Sequence, residues 1–94
     1  MRHLLGRDRL CLEIARYLAR HPDAADTVRG VAAWWVRHDV PATEVALLRL
    51  VSYGVVRCYP LEGATVYAYA RDAGLRQAVN QCLRGLAPVA VLEH

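Results

Sequence analysis

A helical pattern followed at once by a hairpin pattern, within residues 39–69, limits the fold more than any other feature of the sequence. Apolar residues recur with helical spacing at Leu47, Leu50 and Val51. Pro41 suits a first helical turn, and Gly54 suits the end of a helix, where a positive φ angle is common. The sequence therefore predicts a helix from about residue 41 to residue 53.

Two short segments after this helix have the composition of strands. Val55–Tyr59 and Thr65–Tyr69 are rich in β-branched and aromatic residues, and residues 60–64 between them, PLEGA, carry turn chemistry. The sequence predicts a hairpin with a short five-residue turn. Alternation in the second strand is expected to place Thr65, Tyr67 and Tyr69 on one face, and Val66 and Ala68 on the other.

Two further helices are predicted before this stretch. Residues 1–8 form a lead-in, Asp8 caps a first helix that ends at about Arg20, and residues 24–26 form a connection. The buried stripe of the first helix is predicted to be Cys11, Ile14, Ala15 and Leu18. The second helix, capped by Asp26 or Thr27, is predicted to run from Val28 to about Arg37. Its neighbours Trp34 and Trp35 point about 100° apart, so one indole is expected in the core and the other partly exposed.

A last helix is predicted from Ala73 to Arg84, with Asp72 as its cap and with Gly85 and Pro88 ending it. It has a regular apolar stripe, formed by Leu75, Ala78, Val79, Cys82, Leu83 and Leu86. This stripe is either part of the core or a dimer interface. Terminal amphipathic helices suit both roles, and the sequence leaves both open.

The length of 94 residues suits one small domain, predicted over residues 1–91. Residues 92–94, LEH, resemble a remnant of an expression tag. Hydrophobic residues make up 55% of the chain, enough for a core without disulfides or a metal. No apolar run reaches the length that spans a bilayer, and the start does not resemble a secretory signal, so a cytoplasmic location is expected.

The sequence shows no motif typical of catalysis or of a metal or cofactor site. Cys11, Cys58 and Cys82 form no CxxC motif, and the histidines show no HxxxH or HExxH spacing. Nucleophile elbows, phosphate-binding glycine loops and paired carboxylates are missing as well. The prediction is a protein that is not an enzyme and needs no cofactor. The net charge of +3, carried by arginine alone, permits a nucleic-acid partner.

The order helix, helix, helix, hairpin, helix resembles the winged helix-turn-helix domain of small bacterial transcriptional regulators, of the arsenic-repressor and multiple-antibiotic-resistance-repressor types. Four stretches carry the resemblance, namely LEIARYLARHPDA, the helix start DTV, LLRLVSYGVV and VYAYA. It implies an α+β fold, mainly α, with three helices, a hairpin wing and a C-terminal helix. It also implies a homodimer formed by the last helix, with Leu75, Val79, Cys82, Leu83 and Leu86 in the interface.

The resemblance further implies a surface for double-stranded DNA. The third helix, about residues 41–53, would lie in the major groove, and the wing, residues 55–69, would contact the backbone or the minor groove. By position, the groove-facing residues are Ala42, Val45, Arg49 and Ser52, with Glu44, Ala46 and Leu48 at the edges. Arg57 in the wing would also hold DNA, and Arg29 and Arg37 would approach phosphates.

The chemistry of the same helix also supports a different hypothesis, a domain that binds a protein partner and has lost DNA binding. Base edges are read mainly by Arg, Lys, Asn and Gln, yet this face offers one arginine beside Val45 and Leu48. Glu62 at the tip of the wing would repel phosphates. The contact patch would then be Trp34, Val45 and Leu48. A third interpretation places Val45 and Leu48 in the core, beneath the wing or the last helix.

Overall fold

The computed structural model describes residues 1–92, with side chains up to residue 86, and it is mainly helical with one small antiparallel sheet. The α+β class predicted from the sequence is therefore confirmed. The helices are α1 (Arg2–Arg7), α2 (Arg9–Arg20), α3 (Val28–Gly30, continued as a π-helical turn over Val31–Trp35), α4 (Val40–Ser52) and α5 (Ala73–Leu92). The strands are β1 (Ala25–Asp26), β2 (Val56–Leu61) and β3 (Ala64–Tyr69). Residues 93 and 94 of the predicted tag remnant lie outside the described residues.

The first eight residues are not a lead-in, because six of them form α1, whose Leu4 and Leu5 are buried. A helix of six residues contains too few turns for its apolar spacing to stand out in the sequence. The chain turns at Asp8, which has extended backbone angles and accepts a hydrogen bond from the Cys11 amide at 3.0 Å. Asp8 thus caps α2, as predicted, and the predicted stripe of α2 is buried throughout.

The second predicted helix begins at Val28, where the Thr27 hydroxyl accepts a hydrogen bond from the Gly30 amide. It ends at Trp35, before the predicted Arg37, because its second half widens into a π-helical turn closed by the Val36 amide and the Val31 carbonyl. The two indoles separate as expected. Trp35 stacks on Tyr17 with ring centroids 4.7 Å apart, whereas Trp34 is 74% exposed.

The helix α4 begins and ends close to the predicted positions. The Asp39 carboxylate accepts a hydrogen bond from the Ala42 amide at 3.0 Å, and Gly54 has the positive φ, 79°, that ends the helix. The buried face of α4 consists of Thr43, Ala46, Leu47 and Leu50. Val55, which follows Gly54, is also fully buried, so the chain passes through the core before the hairpin begins.

The hairpin is longer, and its turn tighter, than the sequence indicated. The strands reach Leu61 and Ala64, so only Glu62 and Gly63 remain in the turn, with φ angles of 52° and 81°. Positive φ at both positions is the geometry of a two-residue type I′ turn. Pro60 did not end the strand because β2 is an edge strand, where a missing amide hydrogen is tolerated.

A third strand, β1, was missed because it has only two residues. The connection after α2 pairs antiparallel with β3, with Ala25 opposite Ala68, which gives the strand order β1-β3-β2. The predicted alternation of β3 is masked by burial on both faces, since Val66, Tyr67, Ala68 and Tyr69 are all buried. Residues directly opposite in an antiparallel pair share a face, so Arg57 and Tyr59 of β2 cover Ala68 and Val66.

The last helix continues past both predicted stop signals, Gly85 and Pro88, to Leu92. Its first turn is capped as predicted, by a hydrogen bond from the Gly74 amide to the Asp72 carboxylate at 2.8 Å. Gly85 does not end the helix because the apolar stripe of α5, which packs against α1 and α2, continues across it to Leu86. Val79 is fully buried there.

A single core joins all the helices to the sheet. Its largest fully buried members include Leu5 of α1, Ile14 and Leu18 of α2, Leu47 and Leu50 of α4, and Val79 of α5. Among the described residues, no helix combines the length and the apolar character needed to cross a membrane.

Replacing Leu5 with alanine is expected to lower the free energy of unfolding by about 2–5 kcal/mol, because it leaves a cavity where α1 meets the core. Leu61→Ala is the matched control, since Leu61 is 54% exposed on the hairpin, and its expected effect is within about 0.5 kcal/mol. Urea denaturation followed by circular dichroism measures both. Similar small effects for the two variants would contradict a structural role for α1.

Candidate interaction surface of α4 and the hairpin

One face of α4 is open to solvent along its whole length. Its exposed residues follow the spacing i, i+3, i+4, i+7, i+8, i+11 and are Pro41, Glu44, Val45, Leu48, Arg49 and Ser52. The structure therefore brings together most of the residues predicted to face a DNA groove. Ala46 is an exception, because it is 2% exposed and belongs to the core, and Ala42 is half-buried.

The centre of this face is apolar. Val45 is 51% exposed and Leu48 is 54% exposed, so the interpretation that they pack beneath the wing or the last helix is wrong. Trp34, the third residue of the predicted protein-contact patch, projects into solvent from α3 rather than from α4. In the described part of the chain, the exposed large apolar side chains are Trp34, Val40, Val45, Leu48, Tyr53 and Leu61. All of them lie between residues 34 and 61.

Arg49, the central residue of the predicted DNA surface, is held by a carboxylate of its own chain. Its guanidinium donates a hydrogen bond to Asp8 at 2.6 Å, forming an ion pair between α4 and the start of α2. Burial alone would raise the pKa of Asp8, but hydrogen bonds from the Cys11 amide and the Arg49 guanidinium outweigh it and hold the pKa below its usual range. The positive charge of Arg49 is therefore largely balanced before any partner arrives.

The other two predicted contacts of this surface are also engaged. The Ser52 hydroxyl donates to the Arg49 carbonyl at 2.6 Å, which uses its only proton within α4. Arg57 donates from Nε to the Tyr69 carbonyl at 3.1 Å, and its guanidinium lies 4.9 Å from the centre of the Tyr59 ring. These contacts hold Arg57 flat on the sheet instead of extending it from the wing.

Arg29 and Arg37 remain available at the surface. Both are exposed, and neither forms an ion pair with any described residue. Arg37 lies in the turn after α3 with a φ of 52°. Arg29 lines a shallow cleft between α3, α4 and β3 that also contains Glu44 and Tyr67. Arg29 therefore shares this cleft with the acidic residue Glu44.

The predicted dimer residues of α5 are partly used by the fold itself. Val79 is 0% exposed, so it cannot contribute to an interface between chains, and that assignment is wrong. Cys82, Leu83 and Leu86 are half-buried against the chain's own core, and Leu75 is half-buried near Gly54. These four side chains present only part of their surface to solvent. The homodimer itself stays a prediction.

The three thiols lie in different surroundings. Burial, and then the negative charge of Asp8, raises the pKa of Cys11 to about 12, which makes this thiol a poor nucleophile. Cys58 is exposed on β2, Cys82 is half-buried on α5, and all three are free. Within the described residues, no three His, Cys, Asp or Glu side chains are grouped closely enough to hold a metal ion.

Comparisons with protein-family models, with curated proteins and with solved structures return no match to this chain. The contact between Asp8 and Arg49 was not predicted from the sequence. The two residues are 41 positions apart, and each has an obvious separate role, as a helix cap and as an exposed basic residue.

Asp8→Asn keeps an efficient helix cap but removes the charge that Arg49 binds, with an expected cost of about 0.5–1 kcal/mol at pH 7. Because the pKa of Asp8 is lower in the folded chain, its contribution is complete above about pH 4 and is lost as the pH falls through the folded-state pKa. The stability gap between wild type and variant should therefore shrink below about pH 4. Urea denaturation across pH measures it, and Arg49→Gln should show the same trend. A gap that is unchanged from pH 7 to about pH 2 would contradict the ion pair.

Proposed function

We propose that this chain is a winged-helix domain that binds a protein partner through the exposed face of α4. The order of elements supports the winged-helix fold, since α2, α3 and α4 are followed, after Gly54, by a hairpin and by α5. The observation that carries the function is the apolar centre of the α4 face, formed by Val45 and Leu48. Exposed apolar side chains grouped on one face are typical of protein interfaces.

The electrostatics of this region favour a protein over DNA. Residues 21–70, which contain α3, α4 and the hairpin, carry four arginines against five acidic residues. Arg49 is paired with Asp8, and Arg57 is held on the sheet. Affinity for DNA comes largely from contacts between unpaired cationic groups and phosphates. This surface offers few of them.

A second copy of the chain is the partner that fits the α4 face best. The exposed residues of α4 are arranged evenly about the point between Ala46 and Leu47, with an apolar and a charged residue on each side. If two α4 helices packed antiparallel across a twofold axis at that point, Val45 would face Leu48 of the second copy, and Glu44 would face Arg49 of the second copy. A surface that complements itself in this way meets the requirement of an isologous dimer.

The ion pair with Asp8 is compatible with this arrangement. Arg49 uses one nitrogen for Asp8, and its side chain is still 57% exposed, so other guanidinium hydrogens remain for a second carboxylate. The exposed apolar residues outside α4, such as Trp34 and Tyr53, would enlarge the buried area. Stable interfaces bury about 800 Å² on each partner, more than one helical stripe supplies.

Leu48→Glu is expected to prevent self-association, because it places a carboxylate in the apolar centre of the interface. Leu61→Glu is the matched control, since Leu61 has the same exposure, 54%, and lies outside α4. Sedimentation equilibrium between about 10 µM and about 1 mM should show a rising average mass for wild type and control but not for Leu48→Glu. Glu44→Arg should also weaken association by opposing Arg49 of the second copy. A wild-type chain that stays monomeric over this range would overturn the choice of partner.

DNA binding through α4 and the turn after α3 is the second candidate, favoured by the exposure of Arg29 and Arg37. If these two arginines hold phosphates, replacing both with glutamine should reduce the slope of log affinity against log salt by about 2, because each phosphate contact contributes about 0.9. Fluorescence anisotropy with a mixed-sequence duplex measures the slope. An unchanged slope would exclude this surface as the DNA site.

A further inference from the structure

The positive charge of the chain is concentrated away from α4. Residues 1–20, which form α1 and α2, carry five arginines against two acidic residues, and residues 71–92, which contain α5, carry three against one. The segment between them has a small acidic excess. The surface built by α1, α2 and α5 therefore accounts for the basic character of the protein.

A groove between α2 and α5 gathers part of this charge. It has a volume of about 270 Å³ and is lined by Arg16, Ala19, Arg20, Asn80, Leu83 and Arg84. Three guanidinium groups thus border one shallow depression, together with an amide side chain that can donate further hydrogen bonds. None of the described residues that line the groove is acidic.

The arginines of the groove are free to bind a ligand. Within the described part of the chain, the arginines in ion pairs are Arg9, with Glu13, and Arg49, with Asp8. Arg16, Arg20 and Arg84 are not among them. Three like charges around one groove repel one another, and that repulsion is relieved when an anion enters.

The basic surface extends beyond the groove along α2. Arg16 also borders a second depression of about 380 Å³, which is lined by Arg7, Arg9 and Glu13 among others. Glu13 is only loosely paired with Arg9, at 3.9 Å. From Arg9 to Arg20 the helix rises about 16 Å, at about 1.5 Å per residue. Cationic groups therefore follow one another over several phosphate spacings.

We propose that the groove between α2 and α5 binds phosphate groups of a nucleic-acid backbone. Arginine suits this ligand, because its planar guanidinium donates two parallel hydrogen bonds to a phosphate. The length of the basic surface favours a polyanion over a single phosphate, since the surface provides several successive sites. The groove shares no residue with the exposed face of α4, so this binding is independent of the protein contact proposed above.

The combination Arg20→Gln and Arg84→Gln tests the site. Both side chains are exposed, so the fold should tolerate their replacement, which circular dichroism can verify. The wild-type chain should bind a mixed-sequence duplex at low salt, with an affinity that falls steeply as salt rises. In the double variant the slope of log affinity against log salt should be lower by about 2, since two phosphate contacts are lost.

The control for net charge is the combination Arg29→Gln and Arg37→Gln, which removes the two arginines of the competing DNA surface described above. If the groove is the site and that surface is not, the salt slope of this control should equal that of the wild type. Equal losses in the two double variants would overturn the site, because they would show only an effect of net charge. No binding of the wild type at low salt would overturn it as well. A loss confined to the control would assign DNA binding to α3 and α4 instead.

Two further probes identify the source of the phosphate. Inorganic phosphate, titrated against the guanidinium resonances of the wild type, should bind far more weakly than the duplex. Vesicles of phosphatidylcholine with phosphatidylserine should not compete with the duplex at equal phosphate concentration. If inorganic phosphate bound as tightly as the duplex, the proposal of a polyanionic ligand would be wrong. If the protein bound the vesicles in preference to the duplex, the ligand would be a membrane surface and not nucleic acid.

Discussion

The carboxylate of Asp8 links three parts of the chain. Its backbone ends α1, its side chain caps α2 through the Cys11 amide, and its second oxygen receives the guanidinium of Arg49 from α4. One residue thus lies at the junction of α1 and α2 and also contacts α4. This contact also decides the chemistry of the surface, because it balances the one cation at the centre of the exposed face of α4. What remains there is an apolar centre, Val45 and Leu48, with Glu44 beside it.

The exposed apolar side chains and the unpaired arginines of the groove therefore lie on different parts of the surface. The large apolar side chains that are exposed in the described part of the chain lie between residues 34 and 61, whereas arginines without an ion pair border the groove between α2 and α5. A winged-helix protein that reads DNA would be expected to combine cations and exposure on α4. In this chain the exposed face of α4 carries one arginine, Arg49, which contacts Asp8, whereas arginines without an ion pair lie on α2 and α5. We therefore propose a protein contact for α4 and a phosphate contact for the groove between α2 and α5.

The sequence predicted those parts of the fold in which a periodic pattern runs over several turns or ends at a special residue. The stripe of α2, the cap at Asp39 and the glycine at residue 54 are of this kind. Short elements such as α1 and β1 contain too few residues for a period, and they exist because the rest of the fold buries or pairs them. The predicted end of α5 at Gly85 was wrong because the packing of its apolar stripe continues to Leu86. The sequence left open whether Val45 and Leu48 are buried or exposed. The ion pair between Asp8 and Arg49 was not predicted, because it joins residues far apart in the sequence.

The place of α4 in the order of elements suggests DNA binding, whereas the side chains on its exposed face suggest a protein partner. The resemblance to bacterial regulators rests on a pattern of core positions and a glycine in the sequence. The exposed positions carry the pattern Glu44, Val45, Leu48, Arg49, which is complementary to its own antiparallel copy and poorly complementary to a phosphate backbone. If a second copy docks there, its Glu44 approaches an Arg49 that is already oriented by Asp8. A guanidinium fixed in this way loses little side-chain entropy on binding, because the fold has already ordered it. The ion pair with Asp8 leaves other guanidinium hydrogens of Arg49 free, and these can donate to the carboxylate of Glu44 in the second copy.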